Sequence, residues 1–243
     1  MNPELFTEMA SVQEKHWWFV GRRQILSSVI DRLGLTSQAT ILEVGCGTGA
    51  NLEMLRQKGL LHAMEYDAQA RAIANSLSLC KVSAGGLPEP IPHADKSMDL
   101  VCLLDVLEHI EDDLGGLRRI ARLLKPGGCV LVTVPAYRWL WSAHDTAHHH
   151  HRRYTAHLLA QTAELAGLKV HRIGYFNSLL FPLVAAVRLV GKLFTRNSSS
   201  DATLPRPWIN WILLRIFATE RYVVARGGFP FGTSVIAVLG TRA

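Results

Sequence analysis

The sequence predicts an α/β protein built on a doubly wound sheet, and three observations carry that prediction. Between residues 40 and 175, short apolar runs alternate with longer stretches of helical period, the rhythm of strands joined by crossover helices. The first apolar run, Ile41-Leu42-Glu43-Val44, leads straight into Gly45, Gly47 and Gly49 and then into a helical stretch. The chain's 243 residues are 49% hydrophobic and 19% charged, which suits a globular protein with a sizeable core and excludes a disordered or fibrous one.

Residues 1–34 read as a helical segment carrying the aromatic-basic cluster His16-Trp17-Trp18-Phe19, Arg22 and Arg23, ahead of a main domain at 35–243. Strands are predicted at Thr40–Gly45, Leu61–Tyr66, Leu79–Ser83, Met98–Leu104, Gly128–Val134 and Leu168–Tyr175, as short apolar runs alternating with the helical stretches. The intervening helices are predicted at Ala50–Lys58, Ala68–Ser76, Asp112–Leu124 and Thr155–Ala166. Lys125-Pro126-Gly127-Gly128 stops the third of them, since Pro and Gly punctuate a helix end. From Phe176 to Phe229 the pattern is a helical insertion broken around Asn197–Pro207, and Thr233–Leu239 supplies a seventh strand.

Alternating glycines let the backbone turn sharply and approach a ligand closely, while the helix behind them offers unpaired N–H groups. Glu65 follows Gly49 by sixteen residues, at the end of the second strand, where a carboxylate can accept both hydroxyls of a ribose. A nucleoside-containing cofactor is expected here. Because Gly45-x-Gly47-x-x-Ala50 also satisfies the dinucleotide fingerprint, glycine spacing leaves two cofactor classes open. Glu43 discriminates: a buried acid is costly unless paired, a liability beside a pyrophosphate but not beside a cationic, phosphate-free cofactor.

The run from Glu43 to Gly49 resembles the first motif of class I S-adenosylmethionine-dependent methyltransferases. Ala63-Met64-Glu65 resembles their ribose-binding strand end, and Ser97–Val101 through Asp105–Ile110 resembles the fourth strand and following motif of the small-molecule, type 11-like branch. Leu124–Gly128 resembles the turn before strand five, so four motifs stand in order over about residues 38–175, plus the last strand. The resemblance implies a Rossmann-like sheet of seven strands, S-adenosyl-L-methionine as cofactor, and a methyltransferase acting on a small or lipidic acceptor. It assigns the cofactor to Glu43, Gly45, Cys46, Gly47, Gly49, Glu65, Tyr66 and Asp105. Many relatives hold the adenine with an acid after strand three; here the segment reads Ser83-Ala84-Gly85-Gly86-Leu87-Pro88, and the backbone N–H groups of Gly86 and Leu87 are expected to serve. An NAD(P)-dependent oxidoreductase and a non-catalytic S-adenosylmethionine-binding module are the alternatives.

Methyl transfer from a sulfonium is an in-line displacement, so the protein mainly supplies alignment and a dry pocket. A hydroxyl or carboxyl acceptor needs a nearby base, and histidine fits best near neutrality. The catalytic candidates are Glu108 and His109 after strand four, with His144 and His151 in the loop after strand five, which also holds Trp139, Trp141, Asp145 and Arg152 to Tyr154. O-methylation is the expected chemistry. In ubiquinone-biosynthesis O-methyltransferases an acidic-x-x-Glu-His run at the place of Asp105–His109 is associated with a divalent cation, but the run occurs in other relatives without one. His148–His151 look like a metal tag, yet consecutive loop residues rarely converge on one ion, and no metal is expected. By likeness to relatives, the N-terminal helix is either a lid over the cofactor or an apolar anchor on the sheet.

The net charge of +6 is unevenly spread: residues 1–168 sum to −2 and residues 169–243 to +8, with Asp201 and Glu220 the only acids in the latter. Arg188, Lys192 and Arg196 fall at helical spacing beside an apolar face of Leu179, Leu183, Val187, Val190 and Phe194, followed by Trp208, Trp211, Arg215 and Arg221. A basic, aliphatic segment suits a membrane surface or an anionic amphiphile more than nucleic acid, so peripheral membrane contact is expected and nucleic acid is not. The longest charge-free runs, Ile173–Val187 and Gly227–Thr241, have 15 residues, short of the roughly 20 a spanning helix needs. Cys46, Cys80, Cys102 and Cys129 are widely spaced, and with no charged-then-apolar leader they predict reduced thiols in a cytoplasmic protein, bound at most to the inner face of the membrane.

Overall fold

The computed structural model describes residues 10–89, 91–193 and 204–241. Seven strands form one sheet: β1 Thr40–Val44, β2 Leu60–Glu65, β3 Val82–Ala84, β4 Met98–Leu104, β5 Leu124–Pro135, β6 Leu168–Phe176 and β7 Ser234–Thr241. Their order is β3-β2-β1-β4-β5-β7-β6. β1 to β5 pair in parallel, while β7 pairs antiparallel with both β5 and β6.

The central strands are apolar runs because helices cover both faces of the sheet. Alternation along β4 sends Val101 and Leu103 into one core and Leu100, Cys102 and Leu104 into the other. The second core receives Ile25, Leu26, Val29 and Ile30 of the N-terminal helix, Trp17–Ile30. His16 caps that helix, its Nδ1 accepting from Trp18 N at 3.2 Å. Gly21 lies so close to Phe217 that a Cβ there would stand 2.6 Å from the ring, and Trp17 meets the same ring edge-on.

Helix Ala68–Ser76 and strand Met98–Leu104 fall where the sequence places them; the other elements shift by one to four residues at their ends, three of them for reasons visible in the structure. The helix after the glycines is only Leu52–Arg56, because Asn51 spends its side chain on Glu43 instead of capping. β3 starts at Val82, whose backbone is held on both sides by the Asn75 amide. β5 runs through Lys125-Pro126-Gly127-Gly128: Leu124 already pairs with Met98, and a register shift before Leu100 absorbs the turn residues.

Between β6 and β7 lie helices Phe181–Leu193, Pro207–Thr219 and Arg221–Val224, with Pro207 starting a helix rather than breaking one. Buried Glu220 ties the insertion together by accepting from Ser178 N and Leu179 N at 2.7 and 2.8 Å. Phe194, Arg196 and the break at 197–203 lie outside the described residues. No helix among the described residues is long and apolar enough to cross a membrane.

Candidate active site

The glycine turn leaves β1 with Gly45, Gly47 and Gly49 all at positive φ, +72°, +56° and +90°, a region that L side chains occupy only with strain. Gly45 N and Cys46 N donate to Met64 O on β2, and the buried Cys46 thiol is pushed up mainly by desolvation. Glu65 stands over the turn, with Oε2 accepting from Gly47 N at 2.7 Å and Oε1 from Asp67 N at 2.9 Å. Beneath it Glu43 is buried; its Oε1 accepts from Asn51 Nδ2 at 2.8 Å, while Oε2 has no partner among the described residues. Desolvation raises the Glu43 carboxyl to about 7 despite the Asn51 bond. From the N-terminal side, Gln13 Oε1 accepts from Thr48 Oγ1 at 2.7 Å, bringing that segment against the turn.

Further along the edge, Tyr66 is exposed, Gly86 lies beside it and Leu87 is buried. Asp105, which the resemblance assigns to the cofactor, is held from behind by a residue of the N-terminal aromatic-basic cluster. Arg22 Nη2 reaches it from the N-terminal helix at 2.6 Å and also donates to Thr133 Oγ1 at 2.9 Å. The guanidinium lies over the Trp18 ring, 5.2 Å from its centroid.

Glu108 and His109 close a short helical turn, Leu107–His109, after β4. Glu108 is buried, and desolvation, then the charge of Asp105, raise its carboxyl well above the ordinary range. Burial and the neighbouring His150 lower His109 to about 4. The rings of His109 and His150 meet edge-on, centroids 4.6 Å apart. His150 is in turn held by Asp145, which is fully buried and accepts from His150 Nδ1 at 2.9 Å and from Arg153 Nε and Nη2 at 2.7 and 2.8 Å. Although burial pushes the Asp145 carboxyl up, its His150 and Arg153 bonds hold it well below the usual range, so the proton of this contact sits on the imidazole.

His151, expected as a base, has an exposed side chain and enters the cluster through its backbone N–H, which donates to Glu108 O. His144 sits in the short helix Ala143–Ala147, and its side chain is outside the described residues. The histidine that converges on Glu108 and His109 is therefore His150, and the sequence signal for it is Asp145 five positions earlier.

The glycine cradle, the carboxylate over it and the buried acid below, one of whose oxygens has no partner among the described residues, suit a cofactor with a ribose, a positive charge and no phosphate. Together with the strand order they define a class I S-adenosylmethionine-dependent methyltransferase. The family model for the methyltransferase domain matches residues 19–173, more than half of the chain, and the chain belongs to that family. Membership in that family makes S-adenosylmethionine the cofactor, which decides against the oxidoreductase.

The chain is 30% identical over 132 residues to a demethylmenaquinone methyltransferase of Tropheryma whipplei, covering 51% of this chain and 50% of that one. It is likewise 30% identical over 112 residues to a ubiquinone biosynthesis O-methyltransferase of Pseudomonas paraeruginosa, covering 42% and 47%. Matches to these relatives and to another at 64% span about half to two thirds of the relatives' lengths. An S-adenosylmethionine-dependent methyltransferase of Thermotoga maritima has the same fold, with a TM-score of 0.60, 17% identity, and 99% of this chain and 100% of that one covered.

Proposed function

We propose that the enzyme methylates a hydroxyl oxygen of a lipidic acceptor presented at an anionic membrane surface. The observation that carries this reading is the position of the basic, apolar insertion, whose helices adjoin both flanks of the site. Helix Pro207–Thr219 touches the N-terminal helix through Phe217 on Trp17 and Asn210 Oδ1 on Trp17 N. Helix Phe181–Leu193 meets the turn after β5 through Phe181 on Tyr137 and Arg188 Nη1 on Leu140 O. Outward, Leu183, Val187, Trp208 and Trp211 are all more than half exposed, with Arg215 over Trp211, a pairing of apolar and cationic groups that suits an anionic interface. The two quinone-directed relatives support an acceptor with a long apolar part.

S-adenosylmethionine, when bound, supplies an electrophilic methyl group on a sulfonium. The glycine turn and Glu65 would hold its nucleoside and methionine portions, and Glu43 would face its positive end. Gly86, Leu87 and Tyr66 lie where the adenine is expected. Gln13, Arg22 and the N-terminal helix would act as the lid that keeps water out. At the acceptor end, Asp145 fixes His150 by its Nδ1, so that Nε2 is the atom to take the hydroxyl proton as the oxygen–methyl bond forms. In such an in-line displacement the bond from methyl to sulfur would break as the bond to oxygen forms, its electron pair staying on the departing thioether.

The test is transfer of a labelled methyl group to a panel of lipidic phenols, quinols and acids in mixed micelles. A new methoxy group by mass spectrometry and NMR, with kcat reduced about 10²–10⁴-fold in His150→Ala, is the expected result. Methylation at carbon, or transfer only to polar soluble acceptors, would overturn the proposal.

A further inference from the structure

We propose that Glu108, His109 and His150 form a binding site for a divalent first-row transition-metal ion of the zinc type, at the acceptor end of the active site. One ligand atom from each of the three lies within 4.8 Å of the others. Ligands about 2 Å from a tetrahedral ion stand roughly 3–4 Å apart, so small ring rotations would close the set. The trio does not come from one run of sequence. Asp105, the acid three residues before Glu108, is engaged by Arg22 and Thr133, and the closing ligand comes from the loop after β5.

Two independent features favour a cation at this point. Glu108 Oε2 is buried with no partner among the described residues, and a buried carboxylate oxygen without a donor is costly unless a cation meets it. Each histidine is also oriented from behind, His150 by the Asp145 carboxylate and His109 by a hydrogen bond to the His148 backbone. Metal-ligating histidines are oriented by such outer partners, which fix the ring nitrogen left for the ion. Two imidazoles and one carboxylate select zinc, iron, cobalt or nickel over magnesium or calcium, which prefer all-oxygen sets. Three protein ligands leave a coordination position for an acceptor oxygen, whose proton would then depart to solvent because the bound hydroxyl is more acidic.

This rests on the acceptor reading and changes one step of it, since His150 Nε2 would hold the ion instead of taking the hydroxyl proton; metal binding can be measured without any acceptor. The chelator-treated protein would be titrated with Co(II) and Zn(II), following visible absorption and competition with a chromophoric chelator. S-adenosylmethionine binding by calorimetry would report that each variant is folded. Expected are about one tight equivalent, a four-coordinate Co(II) spectrum, at least 10–100-fold weaker binding in His150→Ala and Glu108→Gln, and 10–100-fold weaker binding in Asp145→Asn. The double variant His149→Ala/His151→Ala, which alters only exposed rings of the histidine run, should bind as the parent does. Loss of binding in that double variant with retention in His150→Ala would assign the metal to the surface run and overturn the proposal. Absence of tight binding would overturn it too; a fall in methyl transfer in His150→Ala without metal binding would leave the proton-transfer reading standing alone.

Discussion

Gly47 separates the needs of the fold from those of the cofactor. Apart from its chain neighbours, a Cβ built there meets no atom of the described residues within 4 Å, whereas at Gly45 it would stand 2.8 Å from Val106 Cγ2 and at Gly49 2.8 Å from Leu77 Cδ1. The fold therefore resists Gly47→Ala only through the φ of +56°, a strain of about 1–2 kcal/mol. For a protein of this size that lowers Tm by roughly 2–8 °C. Gly45→Ala and Gly49→Ala add the clash to similar strain, about 2–5 kcal/mol each. Under the proposed cofactor placement, the open side of Gly47 is where the cofactor lies. Gly47→Val should then crowd it by about 1–3 kcal/mol, raising Kd roughly 5–150-fold. Thermal melts and calorimetric titration with S-adenosylmethionine, in one buffer, measure both quantities. Parental affinity in a folded Gly47→Val protein would refute the cofactor placement, and a Tm loss greater than that of Gly45→Ala would refute the open-space geometry.

Glu43 ordinarily would titrate at 4.5 and here titrates near 7, so between those values the folded state holds the extra proton and stability falls as pH rises, by about 3 kcal/mol in all. In Glu43→Gln that fall should vanish from urea melts compared at pH 5 and pH 8, and S-adenosylmethionine should bind more weakly; a parental pH profile would contradict the buried acid. Arg22→Met leaves Asp105 with only its Thr133 hydrogen bond, and because that side chain is 29% exposed the loss should be about 1–3 kcal/mol rather than the full effect of a buried pair. Urea melts should show it together with a raised KM for the cofactor, and an unchanged KM would mean that the N-terminal helix only anchors. Trp208→Ala/Trp211→Ala should lower partitioning onto anionic liposomes at least about tenfold; equal sedimentation of the parent with and without such liposomes would remove the membrane from the proposal.

What could be read from the sequence follows the range over which each feature is encoded. Helix Ala68–Ser76, strand Met98–Leu104 and the glycine turn are written in consecutive residues, and periodicity or glycine spacing finds them. The start of β5 escaped because pairing of Leu124 with Met98 overrides the punctuation of Pro126 and Gly127, a tertiary contact prevailing over a local signal. His150 escaped for a related reason: four histidines in a row are equivalent on paper, and only the fold turns one toward Asp145 and Glu108. Arg22 read as one member of an aromatic-basic cluster on a lid or anchor helix, and the packing of Ile25 and Leu26 on the sheet carries it to the end of β4.

The antiparallel strand β7 also sets an order in time. Both of its partners precede it, and β6, at the sheet edge, pairs with no other strand among the described residues. During synthesis the five parallel strands can assemble while β6 waits for the whole insertion between Phe176 and Ser234 to be made, roughly 3–12 s at ordinary elongation rates. Throughout that interval β6 presents unpaired N–H and C=O groups to any neighbouring chain, so the nascent protein is most open to mispairing just before β7 completes the sheet.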